Sequence, residues 1–195
     1  MEHDFNIFKI EYNKVTPKKG RILVSEPFLQ DTYFKRSIVL LTEHSSEGSV
    51  GFVLNKPLDV KVNEVINDFP YFESGVSIGG PVSTNTIHYI HTLGDLISNS
   101  VHVIDNVYWG GDFEEIKSMI RDGEITGEQI RFFLGYSGWH AGQLEGELEQ
   151  NSWLVTEIRS SLIMHPKSNI WKHTLSQLGE KYKIWSGYPD NPGLN

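Results

Sequence analysis

Cysteine is absent from all 195 residues. That removes disulfides, thiolate nucleophiles and cysteine-ligated zinc or iron–sulfur sites at once. It assigns no compartment, because a chain without thiols is indifferent to redox poise. Long hydrophobic runs are missing as well. The longest aliphatic run is Ile38-Val39-Leu40-Leu41, far short of the ~20 residues that span a bilayer. The opening segment, MEHDFNIFKIEYNKV, carries mixed charge and no apolar stretch of the kind a secretory leader needs. A cytoplasmic setting without membrane contact is the expectation.

Positive charge is scarce too. Seventeen bases face 25 acids, for a formal net charge of −8. Residues 1–60 balance eight against eight, so the deficit falls on the remainder, with nine bases and seventeen acids. Affinity for nucleic acid rests largely on cationic neutralisation of phosphates. Direct, tight DNA binding is therefore disfavoured unless a local patch overrides the field. Lys14, Lys18, Lys19 and Arg21 make a modest linear cluster, which reads more simply as a solvated connector.

What is present is ordinary globular sequence. A chain this long buries roughly 70% of its unfolded surface and needs no staple. Short apolar runs at Arg21–Ser25, Ser37–Thr42 and Ser49–Leu54 predict strands. Their near-continuous apolarity suggests cover on both faces, and the SSEG turn at 45–48 joins the last two as a hairpin. Further strands are expected at Val76–Ile78, Ile87–His91, Val101–Ile104, Ile130–Gly135 and Trp153–Glu157. Asp112 stands at an N-cap position with Glu115 three residues on, ahead of a Phe113, Ile116, Ile120 stripe and a stop at Gly123. A second helix runs from Ser168 to Leu178 with Trp171, Leu175 and Leu178 on one face, and a short one lies near Val62–Asn67. Gln143–Gln150 fits helix or strand spacing. Helix is favoured because glutamate is a poor strand residue, and Asn151 would end it. Strands without regular alternation with helices point to an α+β fold.

The segment IRFFLGYSGWHAGQLEGELEQNSWL, residues 130–154, carries the most information. It reads as a strand, a glycine-rich turn around Trp139, an acidic helix and a second strand. Gly135-Tyr136-Ser137-Gly138-Trp139 fails as a nucleophile elbow, since the glycine needed two residues after the serine is Trp139. His88 and His91 face opposite sides of a strand and cannot share an ion, so no metal site is expected. Gly79-Gly80-Pro81-Val82 lacks the spacing of a phosphate-binding loop and reads as a turn device, whose two glycines allow unusual dihedrals or close backbone contact. Asn55-Lys56-Pro57 reads as a turn device, and His44 as a residue fixing a hairpin or lining a functional loop. A helix starting near Gly142 would present free N–H groups, with Trp139 as an apolar wall and Gln143 as a hydrogen-bonding group.

Set end to end, these pieces resemble the YqgE/AlgH family of bacterial proteins. The resemblance is carried by GRILVSEPFLQDTYFKRSIVLLTEH, GFVLNKPL, SIGGPV and LGYSGWHAGQLEGELEQNSWL, in order, over about residues 20–180. It implies an α+β fold with a mixed, bifurcated or partly barrel-like sheet surrounded by helices. Residues 1–19 stand outside it as an N-terminal extension whose Phe5, Phe8 and Ile10 could dock on the body, and 181–195 as a C-terminal tail. Some members carry a transcriptional-regulator label, yet no catalytic residue or cofactor transfers from the family. The expectation is a binding or regulatory protein acting through a protein partner or small ligand. Its candidate residues are Arg36, His44, Asn55, Gly138, Trp139 and Gln143. The rival reading is a hydrolase- or transferase-type enzyme, which would gather Arg36, His44 and Gln143 into one cleft.

Overall fold

The computed structural model describes residues 13–188. The expected docking of Phe5, Phe8 and Ile10 lies outside these residues. One open ten-stranded sheet forms the frame, in the order β10-β1-β2-β3-β9-β6-β8-β7, with β5 on β9 and β4 on β5. The strands are β1 (Ile22–Ser25), β2 (Ile38–Ser45), β3 (Gly48–Val53), β4 (Pro57–Lys61), β5 (Gly75–Ile78), β6 (Val82–His91), β7 (Val101–Ile104), β8 (Val107–Trp109), β9 (Ile130–His140) and β10 (Trp153–Thr156). The helices are α1 (Val62–Val65), α2 (Phe113–Arg121), α3 (Gln143–Glu149), α4 (Ser160–Met164), α5 (Ile170–Gln177) and α6 (Glu180–Ser186). No described helix is long and apolar enough to cross a membrane.

The apolar runs of β1 to β3 are continuous because both faces are covered. Ile22, Val24, Ile38, Leu40 and Phe52 enter one core with Ile163 of α4, Trp171 and Leu175 of α5 and Trp185 of α6. Leu23, Val39, Leu41 and Val53, the alternate residues, enter a second core with Leu144 and Leu148 of α3. Alternation sends neighbours to opposite faces, so strands with two covered faces need apolar residues throughout. A third core gathers Val76, Phe132, Ile116 and Ile120 under α2. There Asp112 accepts from the N–H groups of Glu114 and Glu115. Glu115 does not close a capping box but reaches the backbone N–H and hydroxyl of Ser98.

The sheet forks along β9. Residues 132–134 pair in parallel with β5, and residues 137–140 pair antiparallel with β3 on the same edge. The expected glycine-rich turn at 135–142 is corrected here, because the strand continues to His140. Its glycines serve backbone contact instead. A Cβ on Gly79 would lie 2.2 Å from the carbonyl oxygen of Gly135, and one on Gly135 2.7 Å from that of Val82. Glycine inside a strand commonly marks such an approach. Gly138 pairs with Val50 within the sheet. Gly142, at φ +73°, is the actual turn residue and precedes α3.

The stretch set aside as a tail contains all but the first residue of α6, whose Trp185 is fully buried. At the sheet's other margin, the Asn13 side chain bonds both the N–H and the C=O of Val155, on the open side of β10.

Candidate functional site

The six candidate residues fall into two groups at opposite ends of the β2–β3 hairpin. Arg36 stands two residues before β2, whereas His44 is the last but one residue of it. Eight residues of extended chain separate the two by roughly 25 Å. The single cleft holding Arg36, His44 and Gln143 does not exist.

At the turn end, His44 pairs across the hairpin with Ser49, and its Nδ1 lies 2.8 Å from the Ser49 hydroxyl. Its Nε2 is 4.0 Å from Oε1 of Glu145. Beside it opens a shallow recess of about 540 Å³, lined by Lys19, Glu43, His44, Glu47 and Trp139 among others. Trp139 is almost fully buried, and its indole N–H donates to Oε2 of Glu147 at 2.9 Å. The indole of Trp153 donates to the same oxygen at 2.7 Å. The two rings meet edge to face, and Phe34 contacts both.

Gln143 completes this clasp. Its amide nitrogen donates to Oε1 of Glu147 at 3.0 Å, and its carbonyl oxygen accepts from the backbone N–H of His140 at 3.1 Å. One carboxylate on α3 thus gathers two tryptophans and an amide. This explains why the segment is rich in Gly, Trp and Glu: the glycines let β9 pass close to its neighbours, and Glu147 satisfies the indoles it buries. Ser137 is fully buried and donates to the carbonyl of Gly79. A serine held there cannot reach a substrate.

At the other end, Asn55 accepts from the N–H of Ile38 and donates to the carbonyl of Arg36. It pins the start of β2, the turn role read from the sequence. Arg36 has φ +51° and donates to the carbonyl of Tyr188, with its guanidinium 5.0 Å from the ring centre of Trp171. Beside Asn55 lies a second pocket, of about 260 Å³, at the point where β3 and β5 part along β9. Its wall includes Arg131, which sequence reasoning missed. Arg131 follows Ile130 and precedes Phe132 and looks like the exposed position of an alternating strand. The signal was the rest of its face. Phe133 and Gly135 share it and are buried, so solvent was never the default for that side.

The histidines of the H-x-x-H sit apart. His88 contacts the rings of Phe52 and Tyr136. His91 is fully buried, accepts from the N–H of Leu93 and lies 2.9 Å from the carbonyl of Gly110. Burial holds the pKa of both below the usual histidine range. Among the described residues, no group of three or more His, Asp or Glu is arranged to hold a metal ion.

Comparison with known proteins agrees with this architecture. The chain is 45% identical over 197 residues to a UPF0301 protein of Bacteroides thetaiotaomicron, covering 100% of both. It is 47% identical over 193 residues to a UPF0301 protein of Parabacteroides distasonis, covering 97% of this chain and 98% of that one. An X-ray structure of a protein from Corynebacterium diphtheriae superposes with a TM-score of 0.74 at 26% identity, covering 96% of this chain and 100% of the other. The solution structure of the AlgH protein from Pseudomonas aeruginosa gives 0.70 at 24% identity, covering 90% and 97%, and shares the fold. Residues 22–183 match the family model described as AlgH-like, and the chain belongs to that family.

Proposed function

We propose that this protein is a binding or regulatory protein without catalysis of its own, acting through a protein partner at the recess beside the β2–β3 turn. One observation carries the reading. The polar groups a reaction would need lie roughly 25 Å apart, and they are already engaged: Arg36 with Tyr188, His44 with Ser49, Gln143 with His140 and Glu147. A catalytic constellation needs nucleophile, base and charge stabiliser in mutual reach. The recess is shallow and open, which suits a protein surface better than an enclosed small molecule.

Its charge says what kind of partner fits. Glu43 and Glu47 line it, Glu145 stands beside His44, and Lys19 is the one base in the lining. A basic or hydrogen-bonding segment is complemented there, and a phosphate backbone is repelled. A regulatory effect on transcription, in this reading, runs through a protein and not through DNA contact.

The test is native mass spectrometry of the protein purified from its own host, alongside Glu47→Lys. Glu47 is exposed at the hairpin tip, so the substitution leaves the core untouched, and circular dichroism checks the fold. A co-purifying protein that is lost from Glu47→Lys supports the reading. A partner retained at parent occupancy removes the recess from it. Sub-micromolar binding of random duplex DNA at physiological salt would overturn the charge argument altogether.

A further inference from the structure

The pocket at the fork of the sheet has the composition of an anion site. Arg131 is half-buried there, and its guanidinium makes two hydrogen bonds, both to neutral backbone carbonyls. Nη1 donates to Ile163 at the end of α4, and Nη2 to Leu54 just after β3 at 2.8 Å. It also lies 5.1 Å from the ring centre of Phe133. A guanidinium carries five N–H donors, so three remain without a protein acceptor among the described residues. No carboxylate pairs with it among those residues either. A cation withdrawn from water without a counter-charge is costly, and burial pushes this one down to about 10.

The rest of the wall points the same way. Lys167, an exposed residue between α4 and α5, lines the pocket and makes no ion pair among the described residues. Ser77 of β5 and Ser168 add hydroxyls that have no hydrogen-bond partner among them. Asn55 adds an amide. No acid lines the pocket, although acids outnumber bases 25 to 17 along the chain. Two positive charges with free donors are thus held together in a molecule whose net charge has the opposite sign.

We propose that this pocket binds a phosphoryl group, as inorganic phosphate or as the phosphate of a small monoester, between the guanidinium of Arg131 and the ammonium of Lys167. The planar fork of arginine matches two oxygens of a tetrahedral anion, and lysine adds a point charge. Two cations and two hydroxyls suit a dianion with several acceptor oxygens better than a single carboxylate. At about 260 Å³ the pocket is below the range that holds drug-sized ligands, roughly 300–1,000 Å³, so the body carrying the phosphate is small. Arg131 contacts both Leu54 and Ile163, so the anion would sit where the end of β3, β5 and the α4–α5 connection meet. The site lies at the opposite end of the hairpin from the proposed partner recess and stands or falls independently of it.

The test is isothermal titration of the whole protein with inorganic phosphate and, separately, with glycerol 3-phosphate, at constant ionic strength set by chloride. Saturable binding with a Kd under about 1 mM is expected. Lys167→Glu, an exposed change that leaves the core intact, should weaken it by at least roughly tenfold. Arg131→Lys, checked for folding by circular dichroism, should weaken it as well, since lysine cannot offer the fork. Tighter binding of the ester than of the free ion assigns a metabolite headgroup, and the reverse assigns phosphate itself. Absence of saturable binding by the parent, or equal binding by Lys167→Glu, overturns the proposal.

Discussion

The two ends of the β2–β3 hairpin treat their polar groups in opposite ways. At the turn end, Glu147 accepts from both indoles and from Gln143, and His44 is closed onto Ser49. At the fork end, Arg131 has carbonyl partners but no counter-charge among the described residues, and Ser77 and Ser168 have no hydrogen-bond partner among them. The first arrangement satisfies its polar groups internally, and the second leaves donors without acceptors among the described residues. Conspicuous sequence thus reflects internal packing here: the Trp and Gln side chains of that segment are spent on the local backbone and on Glu147, and any partner at the adjoining recess meets the exposed groups around them.

The sharpest way to break this comparison is at the clasp. Trp139→Ala should cost about 3–5 kcal/mol, as for a large aromatic removed from a core, measured by urea unfolding. A loss under about 1 kcal/mol, within the range of ordinary surface changes, would show that the turn end is not the tightly satisfied one. Glu147→Ala removes the shared acceptor and strands two indole N–H groups. A loss of about 1–3 kcal/mol is expected, with Glu147→Gln recovering much of it. Equal losses for both would place the effect in charge and not in hydrogen bonding.

Acid sharpens the contrast from a third site. His91 is held neutral by burial, below its unfolded value of 6.5. Between the two values the unfolded chain holds more protons, so stability is full above the unfolded value and falls as pH drops through the window. Urea midpoints measured downward from neutral pH should decline, and His91→Gln should decline less steeply. An unchanged slope would assign the effect to other groups, His88 first. Smaller still, Gln143→Ala should cost ~1 kcal/mol or less and leave the fold intact by circular dichroism. Wholesale unfolding would make its amide a structural keystone. Smallest of all, Lys167→Ala should leave the unfolding midpoint where it is, because Lys167 lacks an ion-pair partner among the described residues. A clear drop in midpoint would show that the cation is already used by the fold.

Most of the frame was legible in the sequence where a single physical rule dominated. Apolar runs gave β1 to β3 because two covered faces demand them, and Asp112 marked the start of α2 because an N-cap has a small set of solutions. Glu-rich composition settled α3 as a helix. The failures share a cause. Gly135 and Gly138 look like turn residues, yet the same lack of a side chain also lets two strands and a β-connection crowd together, and sequence does not separate the two uses. Pro57 concealed β4, since proline opens an edge strand as readily as it breaks an inner one. The short α4 and α6 lack caps or a full stripe. Of the candidate residues, Asn55 did what its type suggested. Arg36 and His44 flank the strand expected at Ser37–Thr42, and its extended length was enough to set them apart. Arg131 was not singled out because a lone arginine in an alternating strand reads as a solvent-facing residue.

The order of strands also has a consequence in time. β1 is apolar on both faces and lies between β2 and β10, so its two neighbours come from distant parts of the chain. The β2 partner begins at Ile38, soon after β1 ends at Ser25. The β10 partner follows some ~130 residues later, which at ribosomal speeds of about 5–20 residues per second is a delay of roughly 6–26 s. For that interval the nascent chain carries a hydrophobic strand with one open margin, and it is during synthesis, not afterwards, that this protein is most exposed to unwanted association.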